Sequence, residues 1–400
     1  MLHRRDFGRV AAGAAASSLS AAPRKKTVGC VVTEYRHWSH ADVVVGRLLG
    51  GYSANNVHRE PRTKVVSLYA HQFPANDMSR DLAARHGFKI YPDIAGALCL
   101  GGGKLAVEAV CFVGEHGNYP TNDVGQKMYP RHELFMEICD VFEKSGRSVP
   151  VFFDKHLSYS WPKAKEIYDR ARKLGFPFMA GSSVPVTART PDLEIPIDTP
   201  VTKAVCVGSG DLDAYGFHLL ESAQCMLERR RGGETGVASV RWVEGDDVWR
   251  WRDGEGAWSK PLIEAAARND AAGASPKLED RGPRPVLFLV KYRDGLELAG
   301  FMLARGGNAR SFACSGGAAP MATSFGPKER TRPLPHFDGL VHCIDEMFAT
   351  GKAVYPVERT LLTTGTLAFL FESRRRKAAV ETPELGVVYR APKHAWYQKV

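Results

Sequence analysis

The sequence predicts an α/β protein in two units: a doubly wound parallel sheet over residues 23–190, then an α+β unit with a mostly antiparallel, open sheet over residues 191–400. Three observations carry this reading. Short β-branched runs alternate with helix-length stretches up to about residue 190, and strand-like runs crowd together after residue 200. The 400 residues are 44% hydrophobic and 24% charged, enough for two buried cores and too apolar for a disordered segment.

Residues 28–32 (VGCVV) read as the first strand, and 41–49, apolar at helical spacing, as the first helix. A strand at 64–69, a helix at 75–86 stopped at Gly87, and a short helical piece at 96–100 follow, the last running into Gly101, Gly102 and Gly103. Next come a strand at 106–113, a helix at 131–144 ended by Gly146, a strand at 149–153, a helix at 161–174 closed by Gly175 and a strand at 178–180. Units of this length imply a parallel sheet covered on both faces. Residues 201–207 then read as a strand and 215–229 as a helix stopped at Gly232-Gly233. Further strands are expected at 237–243, 247–251, 286–292, 296–303 and 311–314, with Asp253-Gly254 and Asp294-Gly295 as hairpin turns. Alternation of Trp249 and Trp251 with Arg250 and Arg252 would place both tryptophans on one strand face, against helices or a second subunit. Residues 269–285 read as a loop.

The chain opens with Arg4-Arg5, an apolar run over 10–19, and small residues Ser20, Ala21 and Ala22. That order resembles a twin-arginine signal, so residues 1–22 are expected to be removed and the mature protein to be periplasmic or secreted. The run is too short to span a bilayer, and no later run reaches about 18 apolar residues, so no span is expected in the mature chain. The net charge of +10, from 54 basic against 44 acidic residues, is scattered, and nucleic acid is not an expected partner. Eight cysteines without a Cys-x-x-Cys pair argue against a zinc ribbon or redox dithiol, and few or no disulfides are expected.

Ligands of open parallel sheets bind beyond the carboxyl ends of the strands. Three such loops carry ionisable groups: residues 33–40 (TEYRHWSH), 114–119 (GEHGNY) and 154–156 (DKH). They are expected to form one crevice.

Residues 151–191, read as an apolar strand, Asp154-Lys155-His156-Leu157-Ser158, a helix, Gly175, a short strand and Arg189, resemble the Glu-Lys-Pro segment of the Gfo/Idh/MocA oxidoreductases. Gly216-Phe217-His218-Leu219-Leu220-Glu221 is similar to that family's Gly-x-His-x-x-Asp, and residues 336–372 with Thr382-Pro383 resemble its terminal helices and strand. The resemblance implies a Rossmann-like first unit, redox chemistry on a sugar, polyol or derivative with NAD or NADP, and a homo-oligomer formed through the C-terminal sheet. It makes Lys155 and His218 the catalytic candidates. Thr33, Glu34, His37, Ser39, His40, Glu115 and Asp154 become cofactor-binding candidates, and His116, Tyr119, His156, Arg189 and Tyr215 substrate-binding candidates.

The glycine fingerprint is absent. Val32, Glu34 and His37 stand at its positions, no acidic residue ends the second strand, and the signature proline is His156. Three readings stay open. In one, an oxidoreductase holds its dinucleotide unconventionally, through Thr33, Ser39 and backbone N–H groups. In the second, an enzyme without NAD uses Glu34, His40, Glu115, His116, Asp154 and His156 as acid–base groups or ligands of a divalent metal. In the third, a non-catalytic protein binds carbohydrate on Trp38, Tyr119 and Tyr159.

Overall fold

Val28, Cys30, Val31 and Val32 bury both faces of strand β1 (Lys26–Val32), as the centre of a parallel sheet requires. The computed structural model describes residues 24–269, 277–304, 310–326 and 334–399. After β1 come α1 (His40–Gly50), a small hairpin of β2 (Tyr52–Ala54) and β3 (Val57–Arg59), β4 (Thr63–Ala70), α2 (Ser79–His86), β5 (Lys89–Ile90) and α3 (Ile94–Cys99). The unit closes with β6 (Ala109–Val113), α4 (Arg131–Ser145), β7 (Val151–Asp154), α5 (Trp161–Leu174) and β8 (Phe178–Gly181). Six of these strands form one wholly parallel sheet in the order β5-β4-β1-β6-β7-β8. The order reverses between β1 and β6, which opens a crevice at their carboxyl ends.

The second unit contains β9 (Arg189–Thr190), β10 (Lys203–Ser209), α6 (Ala214–Leu227), β11 (Val237–Glu244), α7 (Asp246–Asp253), α8 (Lys260–Arg268), β12 (Val286–Tyr292) and β13 (Glu297–Leu303). It continues through β14 (Arg310–Cys314), β15 (Met321–Phe325), α9 (His336–Thr350), α10 (Glu358–Arg376) and β16 (Val380–Glu381). Its eight-stranded sheet runs β16-β11-β12-β13-β10-β14-β15-β9 and is antiparallel except between β10 and β13. Both predicted sheets are therefore present. Asp294-Gly295 makes its hairpin, with Gly295 at φ 89° and its N–H on the Tyr292 carbonyl at 3.0 Å.

Residues 247–251 are a helix, not a strand. Gly245, at φ 67°, breaks β11, and Asp246 and Asp247 then favour a helix N-terminus while Arg250 and Arg252 favour its C-terminus. Asp253-Gly254 ends that helix and makes no hairpin. Trp249 and Trp251 pack with α8, Val205, Val207, Phe301 and Ala313 on one face of the eight-stranded sheet, while α6 and α10 cover the other. On this face the tryptophans thus pack within the chain, among its own α7 and α8. Sequence reading also missed α8, β15 and the β2–β3 hairpin, and the helix placed at 75–86 begins at Ser79. The part of the 269–285 loop that is described holds a turn of 3-10 helix at Leu278–Arg281. The signal-like residues 1–22 lie outside the described residues.

Helix α9 packs on the first sheet. Its Asp345 carboxylate accepts from the Tyr52 hydroxyl (3.0 Å), the Arg62 N–H (3.0 Å) and the Thr63 hydroxyl (2.8 Å), and its Phe337, Leu340, Ile344 and Phe348 complete the core around α1. All eight cysteines are free and buried. No described helix is long and apolar enough to cross a membrane.

Between α6 and α10, Arg359 pairs with Glu228 through two hydrogen bonds of 2.8 and 2.6 Å, and the Tyr389 hydroxyl donates to the same carboxylate at 2.9 Å. Both charges are buried, so removing one strands the other. Arg359→Met is expected to cost about 3–5 kcal/mol in urea unfolding. Adding Glu228→Gln should recover a large part of the loss.

Candidate functional site

The loops after β1, β6 and β7 meet at the reversal point, tied by Thr33: its N–H donates to the Val113 carbonyl (3.1 Å) and its hydroxyl to the Glu115 carbonyl (2.7 Å). The Glu115 carboxylate lies between two cations, ion-paired to Arg131 at the start of α4 and 3.2 Å from Lys155 Nζ just after β7. All three side chains are buried. Burial alone would raise the Glu115 pKa, but Lys155 and Arg131 hold it well below the usual carboxylate range. Arg131 also donates to the Gly114 carbonyl (2.8 Å) and lies 3.0 Å from His156 Nε2. Lys155 and His116 both have left-handed backbones, φ 66° and 72°, a conformation that non-glycine residues keep only where surrounding contacts enforce it.

His40, the first residue of α1, places Nδ1 2.6 Å from Asp154 Oδ2. Its ring meets His116 edge to face at 5.2 Å and Phe337 at 4.9 Å. Burial, with the neighbouring His40, lowers His116 to a pKa of about 4, so it is neutral at pH 7, and its buried Nε2 has no hydrogen-bond partner among the described residues. His218 comes from the other unit, on α6, with Nδ1 2.5 Å from Ser182 Oγ and the Tyr215 ring 5.7 Å away. Burial, reinforced by the Lys155 charge, holds it well below the ordinary histidine range. The Lys155 charge thus acts on His218 from the other unit, beside the crevice at the carboxyl ends of the strands. At its edge Asp213 is pushed up to about 6 by burial, with Oδ2 accepting the Lys127 N–H at 3.0 Å and Oδ1 making no hydrogen bond.

The chain has the fold of inositol dehydrogenases of known structure. GenD2 from gentamicin A biosynthesis, solved in complex with NAD, is 13% identical, with TM-score 0.59 over 94% of this chain and 99% of that one. The myo-inositol dehydrogenase of Lactobacillus casei in complex with NAD(H) and myo-inositol is 13% identical, with TM-score 0.56 over 94% and 100%. Myo-inositol 2-dehydrogenase from Lactobacillus plantarum is 10% identical, with TM-score 0.54 over 90% and 99%. No protein-family model matches the sequence, and no curated protein matches it.

Not every predicted site residue joins the crevice. Arg189 is spent inside the second unit: its guanidinium donates to the Leu193 carbonyl (2.8 Å) and stacks on Tyr397 at 3.8 Å, so it is no substrate ligand here. His156 is buried beneath the cluster against Arg131, and burial keeps it neutral. Ser39 caps α1, its hydroxyl accepting from the Asp42 and Arg36 N–H groups at 3.3 and 3.2 Å. His37 points outward, and Tyr119 bonds His71 Nδ1 at 2.7 Å and stacks on that ring. Arg131 and Ser182 carried no motif, while Asp213 stands one place from the aspartate position that precedes the Gly216-Phe217-His218 motif. One signal was available for Arg131, since a basic residue opening a helix opposes the helix dipole.

The β1–α1 loop does not make the usual pyrophosphate cradle. Asp42 accepts the Trp38 N–H at 3.0 Å and Ser39 accepts that of Asp42, so the chain's own groups occupy the helix N-terminus. Glu34, buried and paired to Arg36 at 2.6 Å, adds a second carboxylate where phosphate would approach. Among the described residues no three His, Cys, Asp or Glu side chains converge as metal ligands, so Glu34, His40, Glu115, His116, Asp154 and His156 do not form the metal site considered for them.

The buried neutral His116 makes stability depend on pH. The unfolded chain takes up this proton near pH 6.5 and the folded chain only near 4, so stability is lost as pH falls through that window. A gap of this size amounts to about 3 kcal/mol. His116→Asn, which tolerates the left-handed backbone, should lose less stability between pH 7 and pH 4.5 than the unaltered chain in urea titrations.

Proposed function

We propose that this chain is an oxidoreductase acting at a hydroxyl-bearing carbon of a polyhydroxylated small molecule, a sugar, polyol or derivative. The carrying observation is that Lys155, held by a Glu115 that lies between two cations, is near enough to His218 of the other unit for its charge to act on that imidazole. An ammonium and a neutral imidazole suit a hydroxyl oxygen whose charge grows during reaction. The NAD-bound dehydrogenases with this fold support NAD or NADP as redox partner, the source of hydride chemistry when bound. Because Glu34 and Asp42 fill the phosphate approach, binding of that partner is expected to be weak, and what the chain's own residues contribute is to hold the substrate and move its proton.

A panel of inositols, sugars and sugar acids with NAD or NADP, followed by nicotinamide absorbance, tests this. Turnover that falls about 10²–10⁴-fold in kcat in Lys155→Met, at similar KM, is expected. Tight polyol binding by calorimetry with no turnover on either nucleotide would instead favour a carbohydrate-binding protein.

The twin-arginine-like start supports export, with the mature chain beginning near residue 22 or 23. N-terminal sequencing of fractionated cells should find that terminus outside the cytoplasm. Intact Met1 confined to cytosol would exclude it.

A further inference from the structure

We propose that His40 and His218 form an acid–base pair held in opposite tautomers, His40 presenting a bare Nε2 as the base and His218 an Nε2–H as the donor to the same substrate oxygen. The inference rests on the oxidoreductase reading for its substrate, and on hydrogen-bond counting for its chemistry.

An ionised carboxylate only accepts, so the proton in the 2.6 Å contact between Asp154 Oδ2 and His40 sits on Nδ1. In its neutral form an imidazole carries one N–H, so a neutral His40 with its proton on Nδ1 keeps the Nε2 lone pair. No other hydrogen bond reaches that ring among the described residues. Asp154 thus acts as a positioning residue, orienting the base and stabilising the imidazolium that forms when it takes a proton.

Ser182 imposes the reverse on His218. Its hydroxyl oxygen already accepts the Val184 N–H at 3.0 Å, and its backbone N–H is held by the Glu221 carboxylate at 3.2 Å. Within the described residues, the acceptor in reach of the hydroxyl hydrogen is His218 Nδ1, at 2.5 Å. Donation there satisfies every group and leaves the His218 proton on Nε2. His218 is then a neutral donor, unable to accept a proton at Nε2.

Each ring's surroundings agree with its role. His40 is faced by Asp154 and His116, with Glu115 close enough to feel its charge. Around His218 stand Ser182, Tyr215, Lys155, Arg310 and His336, a setting that favours the uncharged donor form. In the step, the substrate O–H bond breaks and its proton forms a bond to His40 Nε2. The electron pair stays on oxygen, where the His218 Nε2–H and the Lys155 ammonium hold the alkoxide.

Two-bond proton–nitrogen spectra of the full chain with ¹⁵N-labelled histidine, at neutral pH and without substrate, read both tautomers directly. His40→Gln and His218→Gln spectra assign the two rings by loss of signal. Expected are a protonated Nδ1 on His40 and a protonated Nε2 on His218. Asp154→Asn should flip His40 to Nε2–H, because the amide donates where the carboxylate accepted, and Ser182→Ala should erase the His218 preference alone. With a substrate in hand, Asp154→Asn should lower kcat by about 10³-fold at little-changed KM. The same tautomer on both rings of the unaltered chain overturns the pairing whether or not the variants fold. So does an Asp154→Asn enzyme of full kcat. If the tautomers are as expected but no polyol is turned over, the oxidoreductase reading falls and the opposite tautomers stand.

Discussion

The Glu115 carboxylate, enclosed between Arg131 and Lys155, is the contact on which the rest of the crevice hangs. It joins the carboxyl ends of β6 and β7 to the first residue of α4. A buried ammonium is costly without an opposite charge, so Lys155 can remain enclosed at the end of β7 only while Glu115 faces it. The reverse holds too: a carboxylate this buried stays ionised because two cations share it. Burial keeps the His218 imidazole on the other unit neutral, and the Lys155 charge reinforces it. Electrostatics of a single side chain thereby couple groups from two separate sheets.

Much of this was legible in the sequence, and the reasons are physical. Strands buried on both faces must be continuous apolar runs, so β1, β6 and β7 announced themselves, and the rule that ligands sit beyond carboxyl ends then picked out loops that the fold brings together. The strand expected at 247–251 failed because five residues cannot separate a period of two from one turn of a helix with acidic residues first and basic residues last. Arg189 was misjudged because its partner is Tyr397, some two hundred residues later, and no local pattern reports such a contact. Ser182 was invisible for a similar reason: a lone serine after a short strand has no signature until a helix from the other unit sets a histidine beside it.

The loop between β1 and α1 shows how one fold position can be rebuilt. Where glycines would leave room and open amides for a phosphate, this chain supplies a helix cap, an internal ion pair and a carboxylate accepting a backbone N–H. Each of these satisfies groups that an anion would otherwise satisfy. The α1 N-terminus is stable with nothing bound, and its leading residue, His40, is free to face inward to Asp154. Loss of the anion cradle and recruitment of His40 are two outcomes of the same rearrangement.

Helix α9 carries a different consequence. Phe337, Leu340, Val341, Ile344 and Phe348 belong to the core around α1, yet they lie more than three hundred residues from β1 along the chain. A growing polypeptide leaving the ribosome would have both strands and helices of its first sheet well before the side chains that seal them. The N-terminal unit must wait, partly uncovered, until α9 has been made, and such long-range closure is slow and exposes apolar surface in the interval. This architecture makes maturation of the first sheet depend on a distant helix, so that it is timed by the synthesis of α9 and not by the sheet's own completion.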